Sequence, residues 1–193
     1  MVKISKLINK PSKICSIDAS TNSLAFAIFE DEKLKHFGKI NFEGINVYSK
    51  IKDAARKSVS FFAQFANSVD AIVIEHTIYM NSPKTQADLA LVQGALLGAA
   101  AQNKIRLAGS INPIAWQTYI GNGKLTKDAK SLIRKANPGK SESWYKQHER
   151  ELRKQKTINF ININYDVEID DNDVADAIGI GHYAINNWGK VDK

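Results

Sequence analysis

The sequence predicts an α/β fold, in which a five-stranded mixed sheet, built from three antiparallel hairpin strands followed by two parallel ones, is flanked by helices. Three observations carry this. The first third of the chain holds short apolar or alternating runs separated by brief polar turns. The remainder alternates helical apolar spacing with runs of β-branched residues. The chain has 193 residues, 44% of them hydrophobic, which suits a single domain with a sizeable core.

Residues 13 to 18 (KICSID), 23 to 30 (SLAFAIFE) and 33 to 42 form the hairpin strands, separated by "ASTN" and "DE". Residues 45 to 68 carry apolar side chains at helical spacing, and "DAIVIEH", residues 70 to 76, reads as a buried strand. "KTQADLALVQGALLGAAAQN" is a long helix and "IRLAGSI" a fifth strand. "PIAWQTYIG" and "KDAKSLIRKA" are two short helices bracketing a glycine turn; residues 141 to 157 form a charged helix, and a last helix begins near Asn172. A basic helical segment at about 138–160 is expected within one domain spanning 1–193.

The longest apolar runs are too short and too broken by polar residues to cross a bilayer, and "MVKISKLINKPSK" lacks an apolar core of signal-peptide length. A soluble cytoplasmic protein with no membrane partner is expected. The single cysteine, Cys15, excludes an internal disulfide and a Cys-rich zinc site.

The net charge is +7, and its placement is informative. From Lys124 to Lys156 there are eleven Lys or Arg against four acids, while the rest of the chain balances at sixteen against sixteen. Such a stretch is the footprint of a phosphate-backbone binder, or of a solvated helix face. Lys124, Lys127, Lys130, Arg150, Arg153 and Lys154 are its candidate DNA contacts. With Trp144 and Tyr145 packed against the body, the cations of the charged helix are expected to grip backbone phosphates at a distance from any catalytic centre.

The acids mark that centre. Asp170, Asp171, Asp173 and Asp176 crowd four carboxylates into seven residues just before an apolar helix. Asp18 ends the first strand and Glu75 the fourth, while Asp173 and Asp176, at i and i+3, share one helix face. A desolvated cluster of carboxylates is unfavourable without a cation. Hard oxygen ligands in this number suit Mg2+ or Mn2+, and two such ions about 3.5–4 Å apart form the usual clamp for phosphodiester hydrolysis. Asp18, Glu75, Asp173 and Asp176 are assigned to metal, with Asp170 and Asp171 left to capping and solvation. "DDNDVAD" is no calcium loop, since it lacks the central glycine and distal glutamate of that motif.

Taken in order, "ICSIDAST", "AIVIEHTIYMNSPKTQADLALVQGALLGAA", "NPIAWQTYIGNGKLTKDA" and "DVADAIGIGHYA" resemble the RuvC-type Holliday-junction resolvases of the RNase H-like superfamily, over most of residues 13 to 188. The resemblance implies an RNase H-like fold and a Mg2+-dependent crossover junction endodeoxyribonuclease acting in DNA recombination and repair. It implies two metal ions per site, with Mn2+ as a substitute, held by Asp18, Glu75, Asp173 and Asp176. Lys127 corresponds to the lysine near the scissile phosphate, and Tyr79 to a base-stacking contact at the crossover, displaced by one residue from the family position, which Ile78 fills. The helix around Gly94 and Gly98 corresponds to the family's dimer interface, so a homodimer on a four-way junction is expected. Where many members carry a lysine before the glycine turn, this chain has Trp116 or Gln117. The stretch from Lys127 to Asp173 is longer than in compact bacterial members, so by the resemblance the basic helical segment at about 138–160 is an insertion.

Two other functions use parts of the same pattern. A different RNase H-like nuclease acting on RNA or RNA–DNA hybrids would need the same acids. A non-catalytic junction binder would need the basic segment but not the carboxylates. An actin-like ATPase is disfavoured because "DASTNS" lacks phosphate-cradling glycines. His182 and His76 read as structural residues.

Overall fold

A computed structural model of the chain describes residues 10–77 and 82–191. Strands β1 (Lys13–Ala19), β2 (Ser23–Glu30) and β3 (Lys33–Asn41) form the antiparallel meander, followed by α1 (Val47–Phe65), β4 (Ala71–Glu75), α2 (Pro83–Gln102) and β5 (Arg106–Ile111). Helices α3 (Pro113–Tyr119), α4 (Lys127–Ala136), α5 (Glu142–Tyr165) and α6 (Asn172–Asn186) complete the order. The sheet runs β3-β2-β1-β4-β5, with β1 parallel to β4 and β4 parallel to β5; the mix of three antiparallel strands followed by two parallel ones is the one the sequence pattern predicts.

Local chemistry explains the connections. The β2–β3 hairpin turns on Asp31 and Glu32, both at positive φ (48° and 68°), the handedness that matches strand twist in a two-residue turn. Between β1 and β2, the Ser20 hydroxyl accepts from the amides of Asn22 and Ser23 at 3.1 and 3.0 Å and so closes the loop. The parallel strands need crossovers, which α1 and α2 supply.

Side chains alternate across the sheet, so each strand feeds two cores. Cys15, Ile17, Ile72 and Ile74 pack with Phe61 and Phe62 of α1 and with Val92 and Leu96 of α2. Ile14, Ala25, Ala71 and Val73 pack with α6 and Trp116 on the opposite face. β4 is buried on both faces, which accounts for its unbroken β-branched run. Among the described residues, no helix is long and apolar enough to cross a membrane.

The charged helix departs from expectation. It does not stop near residue 157 but continues to Tyr165, and Thr157, Ile158 and Ile161 in its C-terminal half are buried. "TINFININY" is a poor helical sequence by propensity, rich in Asn and β-branched residues, and burial against α6 and the sheet overrides that preference. The helix ends where Asp166 turns left-handed (φ 52°), and the Asn162 side chain clamps the exit by bonding both the amide and the carbonyl of Ile169, at 2.9 and 3.0 Å.

Candidate active site

Strand parity brings the first two acids together. Ile17 pairs with Ile74 in the parallel β1–β4 ladder, so Asp18 and Glu75, each one residue further on, end neighbouring strands on the face that carries α6. Asp18 lies opposite Ala25 of β2, and Ala25 lies opposite Lys39 of β3. Lys39, Ala25, Asp18 and Glu75 therefore form one row across four strands.

Helix α6 supplies the other two acids. Asp171 caps it, accepting from the amides of Asp173 at 2.8 Å and Val174 at 3.3 Å, as its assignment to capping requires. Asp173 stays half-buried at the rim, whereas Asp176, one turn deeper, is largely enclosed. The helix lies close on the sheet because Gly179 and Gly181 have no side chain there. A Cβ at Gly179 would stand 2.8 Å from the Trp116 ring, and one at Gly181 would overlap Phe29. The Ser16 hydroxyl donates to the Ala177 carbonyl at 2.7 Å and pins the contact.

The carboxylates sense one another. Burial lifts Asp18 well above the usual carboxylate range, and the charges of Glu75, Asp176 and Asp173 push it further, with Lys39 partly opposing them. Asp176 is raised to about 7, first by burial and then by Glu75 and Asp173. Glu75 is raised by burial, against the indole N–H of Trp116, which donates to its Oε1 at 2.8 Å. Lys39 holds Asp173 at 2.6 Å and Asp171 at 3.1 Å.

This donor set fits divalent-metal chemistry: four hard oxygen side chains, three of them raised by burial and Asp18 and Asp176 also by neighbouring carboxylates, where a cation would offset the cost of ionisation. They form a like-charge cluster rather than a closed shell. Among the described residues, no group of three His, Cys, Asp or Glu is arranged to hold a metal ion, and Asp173 and Glu75 are engaged by Lys39 and Trp116.

The basic residues fall into distinct settings. A cleft of about 600 Å3 is lined by Glu75, Lys124, Arg153 and Gln117. Lys127 opens α4 with its side chain exposed. Lys130 is paired with Glu149 at 2.6 Å, tying α4 to α5. Arg150, Arg153 and Lys154 line a second cavity together with Asp176, and the charge of Lys154 acts on that carboxyl. The expectation that the charged helix grips phosphates far from the catalytic acids is thus corrected: the helix forms a wall beside them. Tyr145 packs against the body as expected, whereas Trp144 stacks within its own helix. Tyr145 is buried, with its hydroxyl on the Asn137 carbonyl and the Arg134 guanidinium 4.5 Å from its ring, and Trp144 stacks on His148.

Tyr79 lies outside the described residues. His182 is structural, bonded through Nδ1 to the Tyr165 hydroxyl at 2.7 Å among three aromatic rings. His76 follows the end of β4, its amide on the Ile111 carbonyl at 2.8 Å. Gly94 and Gly98 of α2 face open space, with nothing within 4 Å of a Cβ built at either. Sequence reading missed Lys39 and the bond from Trp116. Strand parity could have placed Lys39 on the Asp18 face, but nothing local signals either contact.

No family model matches the sequence, and no curated protein does. Solved structures do match. Thermus thermophilus RuvC in complex with a Holliday junction substrate superposes with a TM-score of 0.63 at 11% identity, over 92% of this chain and 97% of that one. A second Thermus thermophilus RuvC structure gives 0.62 at 11% identity, over 93% and 98%. At that identity the likeness is one of fold. The chain has a RuvC-like, RNase H-like fold.

Proposed function

We propose that this chain is a metal-dependent endonuclease that resolves four-way or other branched DNA junctions. The observation that carries the reading is the convergence of Asp18, Glu75 and Asp176 on one face of a RuvC-like sheet, each raised by burial, and Asp18 and Asp176 also by the charges of neighbouring carboxylates. Such repulsion costs the metal-free fold stability, and a bound cation would relieve it.

Asp18, Glu75, Asp173 and Asp176 would hold two Mg2+ ions, for which Mn2+ would substitute. Bound there, the ions would activate the attacking water and neutralise the leaving 3′ oxygen. The chain's own groups do the positioning. Trp116 orients Glu75, and Asp171 and Lys39 hold the first turn of α6 against β3. Lys124, Lys127, Lys130, Arg150, Arg153 and Lys154 supply a positive field for the phosphate backbone, Lys127 nearest the scissile group by the family resemblance. The open face of α2 at Gly94 and Gly98 suits a two-fold dimer, whose symmetry matches the two equivalent strands of a junction.

Cleavage of a labelled synthetic junction with and without Mg2+, beside duplex DNA and an RNA–DNA hybrid, tests the reading. Paired Mg2+-dependent nicks near the crossover are expected. Preferential cutting of the hybrid would replace this reading with an RNase H activity. Tight junction binding with no cleavage under any divalent ion would make the chain a non-catalytic binder.

A further inference from the structure

Two carboxylates at the start of α6 share one ammonium. Lys39 of β3 stands 2.6 Å from Oδ2 of Asp173 and 3.1 Å from Oδ2 of Asp171, with its side chain 26% exposed. Among the described residues it is the only cation ion-paired with either acid. The two acids have different duties. Asp171 lies outside the set assigned to metal and divides its oxygens: Oδ1 accepts from the amides of Asp173 and Val174, while Oδ2 faces the ammonium. Asp173 belongs to the set, and its contact with Lys39 is the shorter one. At the deeper Asp18 and Asp176, Lys39 and Lys154 act through their fields alone.

Charge counting gives this lysine a role besides that of a strut between β3 and α6, to which a part-exposed ion pair contributes little. Ionised, Asp18, Glu75, Asp173 and Asp176 carry four negative charges, which two divalent ions would cancel. Asp171 is a fifth, and Lys39 cancels it. A divalent ion approaching Asp173 meets an oxygen already bound to an ammonium, and the two cations repel at contact distance. Asp171 also binds that ammonium and can keep it without Asp173. The flexible four-carbon stem of a lysine lets so small a shift occur without moving the strand.

We propose that Lys39 is an exchangeable counter-ion, shared between Asp171 and Asp173, and that a divalent ion taken up at Asp173 displaces it onto Asp171. The inference rests on the nuclease reading for the identity of the metal ligands, and its test does not use catalysis. Its consequence is a pair of unequal metal sites. The buried acids take an ion without local opposition, whereas the half-exposed rim at Asp173 takes one against a resident charge. Lys39 is in this sense a positioning residue, which sets the divalent concentration at which the carboxylate set fills.

The test counts Mn2+ bound to the full chain by EPR. The unmodified protein should bind in two steps, a tighter and a weaker one. Lys39→Met should tighten the weaker step roughly fivefold to tenfold and leave the tighter one in place. Lys39→Arg keeps the charge and should restore the unmodified pattern. Asp171→Asn still caps α6 but removes the anion that receives the ammonium, so it should weaken the same step. That effect should shrink in the Lys39→Met background, where no ammonium has to be received. A mere strut predicts the opposite sign for Lys39→Met, since loosening α6 would weaken Mn2+. With amide spectra showing an intact fold, a weaker step that Lys39→Met leaves unchanged, weakens or fails to reveal overturns the exchange alone. Absence of Mn2+ binding in every variant defeats the exchange and the nuclease reading together. The expected Mn2+ pattern without junction cleavage upholds the exchange and defeats only the nuclease reading.

Discussion

The indole N–H of Trp116 lies 2.8 Å from Oε1 of Glu75, and the same ring leaves no room for a side chain at Gly179. One fully buried aromatic therefore orients a candidate metal ligand and sets how closely α6 approaches the sheet. Trp116→Phe should remove the donor and open a small cavity, destabilising by about 2–3 kcal/mol. Gly179→Ala should displace the indole and lower stability by about 1–3 kcal/mol. Calorimetry checks both. A Gly179→Ala protein with unchanged Tm and tryptophan fluorescence would contradict this packing.

Asp18→Asn should remove nearly all Mg2+-dependent cleavage while leaving junction affinity in EDTA within a few fold, because the substitution neutralises a carboxylate in the cluster and leaves the basic residues in place. Glu75→Gln and Asp176→Asn should behave alike. Asp173→Asn should be milder, since Asn still offers one oxygen and Asp173 sits at the half-exposed rim. Gel-shift and cleavage assays on the same preparations decide this, and near-normal cleavage by Asp18→Asn would overturn the site.

The carboxyl of Asp176 titrates near 7 in the folded protein, against about 3.9 in an unfolded chain. Between those values the folded state keeps a proton that the unfolded state has released, so metal-free stability should fall as pH rises through that window. Above about pH 7 the loss should be complete and on the order of a few kcal/mol. Asp18 and Glu75 are raised as well and act with the same sign. Asp176→Asn should therefore raise the metal-free Tm at pH 8, and Mg2+ should stabilise the unmodified protein more at pH 8 than at pH 5. Denaturant titrations in EDTA that show equal stability at both pH values would refute it.

Lys39 is the cation that the sheet places beside the acids, bonded to Asp173 and Asp171. Lys39→Met should expose their repulsion, lowering the metal-free Tm by about 2–4 °C for a loss near 1 kcal/mol. The Tm gain on adding Mg2+ should then be larger than in the unmodified protein, because the ion no longer competes with an ammonium for Asp173. Lys39→Arg should restore the original behaviour. A Mg2+ gain that stays the same in Lys39→Met would show that Asp173 takes no part in metal binding.

Assembly can be tested without disturbing the fold. Nothing lies within 4 Å of a Cβ built at Gly94 or Gly98. Gly98→Leu thus fits the single chain and, inside a helix, should raise its intrinsic stability by up to about 1 kcal/mol. If α2 meets its two-fold mate there, the variant should be monomeric by light scattering and bind junctions poorly. A monomeric unmodified protein, free and on a junction, would exclude the dimer.

The sequence by itself determined the strand and helix order and the four acids at the ends of strands and the start of a helix, because period-2 and period-3.6 patterns and capping are local properties of the chain. Asp171 could be assigned to a cap and Asp18 to a strand end without any knowledge of partners. Tertiary structure alone decided the rest. The helix through "TINFININY" forms against its own propensity because Ile158 and Ile161 find a core that no neighbour in sequence supplies. The row from Lys39 to Glu75 depends on register across four strands, and the bond from Trp116 to Glu75 spans 41 positions. The proximity of Lys154 to Asp176 depends on where a long helix lands. Such contacts arise from packing between distant segments, and local periodicity holds no record of which segments meet.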